Sequence, residues 1–153
     1  MSPLVKDATG NDLTYRIIGA AMAVHNKLGP GYKEEVYEKA LATEVADSGI
    51  EAQSQYPVEV YYSDAIAGLF YLDLYVENQV VIEVKALSHL MTNDEKAQLI
   101  NYLTATGAPV GLLFNFGRRK LEYKRIFPGK KGNLPVQRIG RDNVRKSSLA
   151  EDK

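Results

Sequence analysis

The 153-residue chain contains no cysteine. That excludes a disulfide framework, a thiol nucleophile, and every zinc or iron–sulfur centre built on thiolates. No apolar run approaches the roughly 20 residues that a membrane-spanning helix requires. Met1-Ser2-Pro3-Leu4-Val5-Lys6-Asp7 lacks the basic-then-apolar layout of a signal peptide, so a cytoplasmic location is expected. Internal repeats and low-complexity stretches are absent. So are a nucleophilic triad and a dinucleotide fingerprint. Gly29-Pro30-Gly31 lacks the Lys-Ser/Thr pair of a phosphate-binding loop.

What is present is an ordinary globular composition, 45% hydrophobic and 25% charged, at a length that can bury a core without staples. The formal net charge of zero hides an asymmetry. Residues 1–117 carry 7 Lys and Arg against 15 Asp and Glu, whereas residues 118–153 carry 12 against 4. A basic end beside an acidic body suits a polyanionic partner, or it is a solvated end that pairs with its own acidic body.

Periodicity predicts the elements. Leu13, Ile17, Ala20, Ala21, Val24 and Leu28 recur at helical steps, with Asn11 or Asp12 as cap and Gly29-Pro30-Gly31 as stop. A second helix fits residues 34–48, with Val36, Tyr37, Ala40, Leu41 and Val45 in its stripe. Glu34 and Glu35 lie in its first turn, where acids suit the helix dipole. Strands follow at 56–62, 68–76 and 80–86, rich in β-branched and aromatic residues. A helix over 93–106, capped by Thr92 or Asn93, precedes a buried strand at 109–116 and a last strand at 120–127. One domain is expected over 1–127, followed by a basic, mobile segment over 128–153.

Three residues look out of place among apolar neighbours. Strand 80–86 carries Glu83 and Lys85 on one face, opposite Ile82, Val84 and Ala86. Asp73 interrupts Leu72, Leu74 and Val76 in the strand before. A buried unpaired charge is costly, so such residues are exposed, paired or bound to metal. If Glu77-Asn78-Gln79 is a three-residue hairpin loop, Asp73 lies directly across from Glu83. Two facing carboxylates suit an intervening Mg²⁺ or Mn²⁺, with Lys85 beside it to orient a water or offset charge. The alternative is an amphipathic sheet whose wet face carries a solvated salt-bridge cluster.

The next helix aligns Glu95, Gln98 and Tyr102 on one face, either beside that site or as a polar outer stripe. His25 sits near the C-terminal end of the first helix, where a capping or buried structural role competes with metal ligation. Tyr56, Tyr61, Tyr62, Tyr71 and Tyr75 leave room for a self-association surface and hence a homodimer.

Together these segments resemble a known family. Gly31-Tyr32-Lys33-Glu34-Glu35-Val36-Tyr37 matches the G-x-x-E-x-x-Y signature of the GxxExxY proteins, with His25 and Leu28-Gly29-Pro30 before it. Asp73 with Ile82-Glu83-Val84-Lys85-Ala86, Gln98 to Tyr102, and Gly111 to Gly117 resemble that family's later blocks, over roughly residues 14–127. The family is grouped with the PD-(D/E)XK nuclease-like superfamily. The resemblance implies an α/β (α+β) fold with a restriction-endonuclease-like αβββαβ core: a central mixed sheet flanked by helices, here with an extra N-terminal helix. It implies metal binding by Asp73 and Glu83, catalytic help from Lys85, and an acid from the first core helix, Glu34, with Glu38 as fallback. It also implies a site glutamine, Gln98, and a packing or hydrogen-bonding role for Tyr37. Where members of the family often carry a histidine, this chain has Glu95.

The reading that follows is a Mg²⁺-dependent (or Mn²⁺-dependent) phosphodiester hydrolase acting on nucleic acid, DNA in the first instance. Arg118, Arg119, Lys120, Lys124, Arg125, Lys130 and Lys131 would track the backbone. The alternative is a non-catalytic module of the same fold that binds nucleic acid or a protein partner.

Overall fold

A computed structural model describes residues 5–7, 10 and 12–129. Helix α1 (Leu13–Leu28) starts at Asp12, whose carboxylate accepts the amide of Tyr15 at 3.2 Å, and stops at Gly29. Leu13, Ile17, Ile18, Ala21 and Val24 are buried along it. Helix α2 (Glu34–Asp47) buries Tyr37, Leu41 and Val45, one residue in four. Val36, placed in its apolar stripe by the sequence, is instead exposed, because it lies about 100° around the helix from Tyr37.

Five strands form one mixed sheet in the order β1 (Ala52–Tyr62), β2 (Ala65–Val76), β3 (Val80–Lys85), β4 (Val110–Asn115) and β5 (Glu122–Ile126). Helix α3 (Asn93–Thr106) provides the crossover that makes β3 and β4 parallel, and the other neighbours are antiparallel. β3 and β4 are covered on both faces and accordingly read as near-continuous apolar runs. On one face, α1 and α2 pack over Leu74, Val76, Ile82, Val84, Leu112 and Phe114. On the other, Leu99 and Leu103 of α3 pack over Val81, Leu113 and Ile126. This α+β arrangement has the element order expected of a restriction-endonuclease-like core preceded by an extra helix. Among the described residues no helix is long and apolar enough to cross a membrane.

β1 begins four residues before Tyr56, where the sequence places its start. Gln53, Ser54 and Gln55 are exposed and polar, so no alternation marks them, yet Ala52, Gln53 and Ser54 pair with Val76, Tyr75 and Leu74. The β1–β2 pairing then skips Gln55, whose φ is 51°. Leu74 and Val76 face the α1–α2 core, but Leu72, Tyr56 and Val58 face the α3 core. Side chains two apart on a regular strand share a face. The hairpin therefore changes face at Asp73, and its distal half swings over α3.

Candidate active site

The sheet breaks where its acids lie. The β2–β3 ladder comprises Val76↔Val80, Tyr75↔Val81 and Leu74↔Ile82 around the three-residue loop 77–79, so the next step of the register sets Asp73 opposite Glu83. There, side chains replace the backbone ladder. The amide of Asp73 donates to Glu83 Oε2 at 3.2 Å, and the amide of Val84 donates to Asp73 Oδ2 at 2.7 Å. Glu83 is only 6% exposed, which rules out the wet-face reading of β3. Burial, and then the charge of Asp73, push its carboxyl up to about 8. Burial also raises Asp73, opposed by the Val84 amide, the charge of Lys85, and side-chain hydrogen bonds from Gln55 and Glu83. The buried Glu83 carboxyl and the half-buried Asp73 carboxyl thus form a pair that favours holding a proton near neutral pH.

Lys85 follows Glu83 on the α3-facing side of β3. Its Nζ lies 3.4 Å from Gln98 Oε1 on α3 and acts on both acids as a neighbouring positive charge. Tyr102, one turn beyond Gln98, is half-buried. Burial raises its phenol, and the charges of Glu83 and Asp73 raise it further, which places its hydroxyl within electrostatic reach of the pair. Glu95, one turn before Gln98, feels the charge of Lys85 but is engaged at the helix start. Its carboxylate accepts from the amide and hydroxyl of Thr92 at 2.6 and 2.9 Å, closing a capping box at the start of α3.

The acid of α2 drawn towards the pair is Glu38, not Glu34. Glu38 is half-buried, accepts a hydrogen bond from Gln55 Nε2 at 2.6 Å, and is raised by burial with contributions from Asp73 and Glu34. Its charge also acts on Glu83. Glu34 is exposed in an open concavity lined by Gly31, Tyr32, Lys33, Glu35, Glu38 and Ala86. Glu34 is the outer acid because one helical turn carries the inner position to residue 38. Gln55 bridges Glu38 and Asp73 from its left-handed backbone position, and the sequence reading missed it. Its one signal was a polar residue just before an apolar strand.

Among the described residues no group of three or more His, Asp or Glu side chains is already gathered as a metal cage. The donor set is nonetheless all oxygen, and two of its acids sit so close that a proton offsets their repulsion. A hard divalent cation replacing that proton fits this chemistry.

Tyr37 and His25 serve the scaffold. Tyr37 is fully buried and stacked on Phe116 with centroids 4.8 Å apart. Its hydroxyl donates to the Gly29 carbonyl and accepts the Tyr32 amide at 3.1 Å. His25 Nε2 lies 2.8 Å from the carbonyl oxygen of Arg118, tying α1 to the β4–β5 connection. Of the five tyrosines offered above as a self-association surface, Tyr61 and Tyr75 are buried and Tyr56 is half-buried, Tyr56 and Tyr75 within the α3-side core; Tyr62 and Tyr71 are exposed.

The basic residues divide. Lys85 pairs with Asn115 in the parallel register, so Arg118, Arg119 and Lys120, which follow β4, lie at the same sheet end as Glu83 and Lys85. Lys124 pairs with Leu113, two strands across from Glu83. Arg125 turns to the other face, where its Nε donates to Thr14 Oγ1 at 3.0 Å, away from the acids. Lys130, Lys131 and the remainder of the proposed mobile segment lie outside the described residues.

The model of the PD-(D/E)XK nuclease superfamily matches residues 11–126. The chain belongs to that superfamily. The D…(D/E)-x-K pattern that gives PD-(D/E)XK nucleases their name is met by Asp73 and by Glu83-Val84-Lys85. The crystal structure of SSO0001 is similar at TM-score 0.51 and 18% identity, over 71% of this chain and 55% of that one, a likeness of fold. The present chain thus spans about half the length of that protein. Comparison with curated proteins finds no match.

Proposed function

We propose that this PD-(D/E)XK protein is a Mg²⁺- or Mn²⁺-dependent nuclease that hydrolyses phosphodiester bonds in DNA. The observation that carries the reading is the Asp73–Glu83 pair, its Glu83 buried and its Asp73 half-buried, at a break in the sheet, with Lys85 on the same strand face as Glu83 and Gln98 beside it. A structural salt bridge needs no such pair of like charges, and a scaffold gains nothing from a carboxyl held at about 8. The finer likeness to GxxExxY proteins rests on residues 31–37 and is part of the same proposal.

Asp73, Glu83 and Glu38 would hold the cation, with Glu34 at its outer side. When bound, the cation supplies Lewis-acid polarisation of a phosphoryl oxygen and a lowered pKa for water. The chain's own residues do the rest. Lys85 donates to the attacking water or to a non-bridging phosphate oxygen and offsets charge that develops there. Gln98 holds the Lys85 ammonium in place. Arg118, Arg119 and Lys120 engage neighbouring phosphates at the same end of the sheet.

The test is Lys85→Ala assayed on labelled DNA with Mg²⁺ and with Mn²⁺. Cleavage is expected to fall by about two orders of magnitude or more, with the melting temperature unchanged. Retained cleavage overturns the assignment. Salt-sensitive, metal-independent DNA binding by a wild type that cleaves nothing points instead to the non-catalytic module.

A further inference from the structure

A second concavity, of about 380 Å³, opens between α3 and the distal half of the β1–β2 hairpin. It is lined on one side by Val60 and Phe70 of the hairpin and on the other by α3, chiefly Asp94, Gln98, Asn101 and Tyr102. Phe70 is 41% exposed, so part of its ring is open to the concavity or to solvent. It sits 5.8 Å from the Tyr102 ring, tilted by 50°. Gly68 lets it lie there: a β-carbon at that position would stand 3.0 Å from the Phe70 ring.

Two of the residues that line the cavity also relate to the acid site. Gln98 lines it and also lies 3.4 Å from the Lys85 ammonium. Tyr102 lines it and feels the charges of Glu83 and Asp73. Its rim offers one carboxylate and two amides, the donors and acceptors that read the edge of a heterocycle, above an aromatic platform that stacks on its face. The volume suits a single planar group rather than a stretch of duplex.

We propose that this concavity receives one unstacked nucleobase next to the scissile phosphate, and that the substrate class is therefore single-stranded DNA or an unpaired end. The inference rests on the nuclease reading above. A base inside a duplex is stacked and paired and enters such a pocket only by extrusion, whereas a single strand presents it freely. Stacking on Phe70 is tolerant of sequence, because every base has a π-face.

The test uses the full chain without metal and a short fluorescein-labelled single strand beside its blunt duplex, read by fluorescence anisotropy. The single strand is expected to bind at least roughly tenfold more tightly than the duplex. Phe70→Ala is expected to weaken single-strand binding by roughly tenfold and to leave duplex binding within about twofold. Phe70→Tyr retains the platform, and Phe70→Leu, which keeps apolar bulk without a ring, behaves like the alanine variant. If Phe70→Ala does not fold, Phe70→Leu decides the question.

Unchanged single-strand affinity in folded Phe70→Leu, or an equal loss on both strand forms, overturns the pocket. Cleavage with Mg²⁺, measured on the same two substrates, separates the two readings. Wild-type cleavage of duplex, with Phe70→Leu equally active on both substrates, removes the pocket and leaves the nuclease. Absence of all cleavage and of all binding removes both.

Discussion

Asp73 gives its backbone amide to the carboxylate of Glu83 and, through its own carboxylate, receives the amide of the residue after Glu83. The exchange satisfies backbone groups that the β2–β3 ladder abandons at this point, and it fixes a buried and a half-buried acid side by side. The cost appears in the titration of Glu83.

Glu83 ionises near 4.5 in the unfolded chain and at about 8 in the folded protein. Between those values the folded state binds more protons than the unfolded one, so this group makes stability fall as pH rises, and the loss is complete above about 8. Glu83→Gln keeps the shape and the acceptor for the Asp73 amide but cannot ionise. Without metal it is expected to match wild type near pH 4 and to exceed it at pH 9 by about 4–5 kcal/mol, a rise of roughly 8–20 °C in melting temperature. Thermal scans of both proteins across that range check this. Parallel curves would show that Glu83 ionises normally.

The inner acid of α2 is Glu38, because Gln55 holds it towards Asp73 while Glu34 stands in the open concavity. Calorimetric titration with Mn²⁺ should therefore grade the variants. Asp73→Ala and Glu83→Ala are expected to abolish saturable binding, Glu38→Ala to weaken it by about tenfold or more, and Glu34→Ala by no more than a few-fold. Equal effects at residues 34 and 38 would mean that the first turn of α2 moves when metal enters.

Part of this site is legible in the sequence alone. β3 and β4 announce themselves as apolar runs, and the three-residue loop length alone places Asp73 across from Glu83. Glu34 and Glu38 are one turn apart on one helix, and periodicity cannot say which is deeper; that depends on how α2 tilts over the sheet. Gln55 was invisible because its contribution comes from a break in β1, where φ turns positive and alternation fails. Tyr37 and His25 belong to a sequence signature, but their partners are the Gly29 carbonyl, the Tyr32 amide and the Arg118 carbonyl. Backbone partners leave no trace in a sequence pattern.

Gly117 is required by close approach rather than by a turn. A β-carbon there would lie 2.4 Å from the Leu87 carbonyl oxygen and 2.5 Å from its amide nitrogen, both backbone atoms that cannot rotate aside. The same seam carries the hydrogen bond from the Phe116 amide to the Lys85 carbonyl at 2.8 Å, and Asn115 Oδ1 accepts the amides of Leu87 and Gly117. Gly117→Ala is expected to destabilise the fold by about 1–3 kcal/mol. It should also lower cleavage more than this loss of stability explains, since the strand end bearing Lys85 must shift. Chemical denaturation beside a cleavage assay, well below the melting temperature, separates the two effects.

Tyr37 tests whether the most recognisable stretch of the chain is catalytic or architectural. Its ring is sealed between α2 and Phe116, and its hydroxyl takes both the carbonyl of Gly29 and the amide of Tyr32. The loop so closed forms the wall of the concavity that holds Glu34 and Glu38. Tyr37→Phe keeps the stack and strands two backbone groups, a loss of about 1–3 kcal/mol, or roughly 3–9 °C in melting temperature. Tyr37→Ala removes the ring as well and should cost about 3–5 kcal/mol. At a temperature where Tyr37→Phe is fully folded, cleavage is expected to stay within a few-fold of wild type, because the hydroxyl reaches backbone and not the acids. The opposite pattern, an unchanged melting temperature with cleavage reduced by a hundredfold, would move Tyr37 from the scaffold into the chemistry.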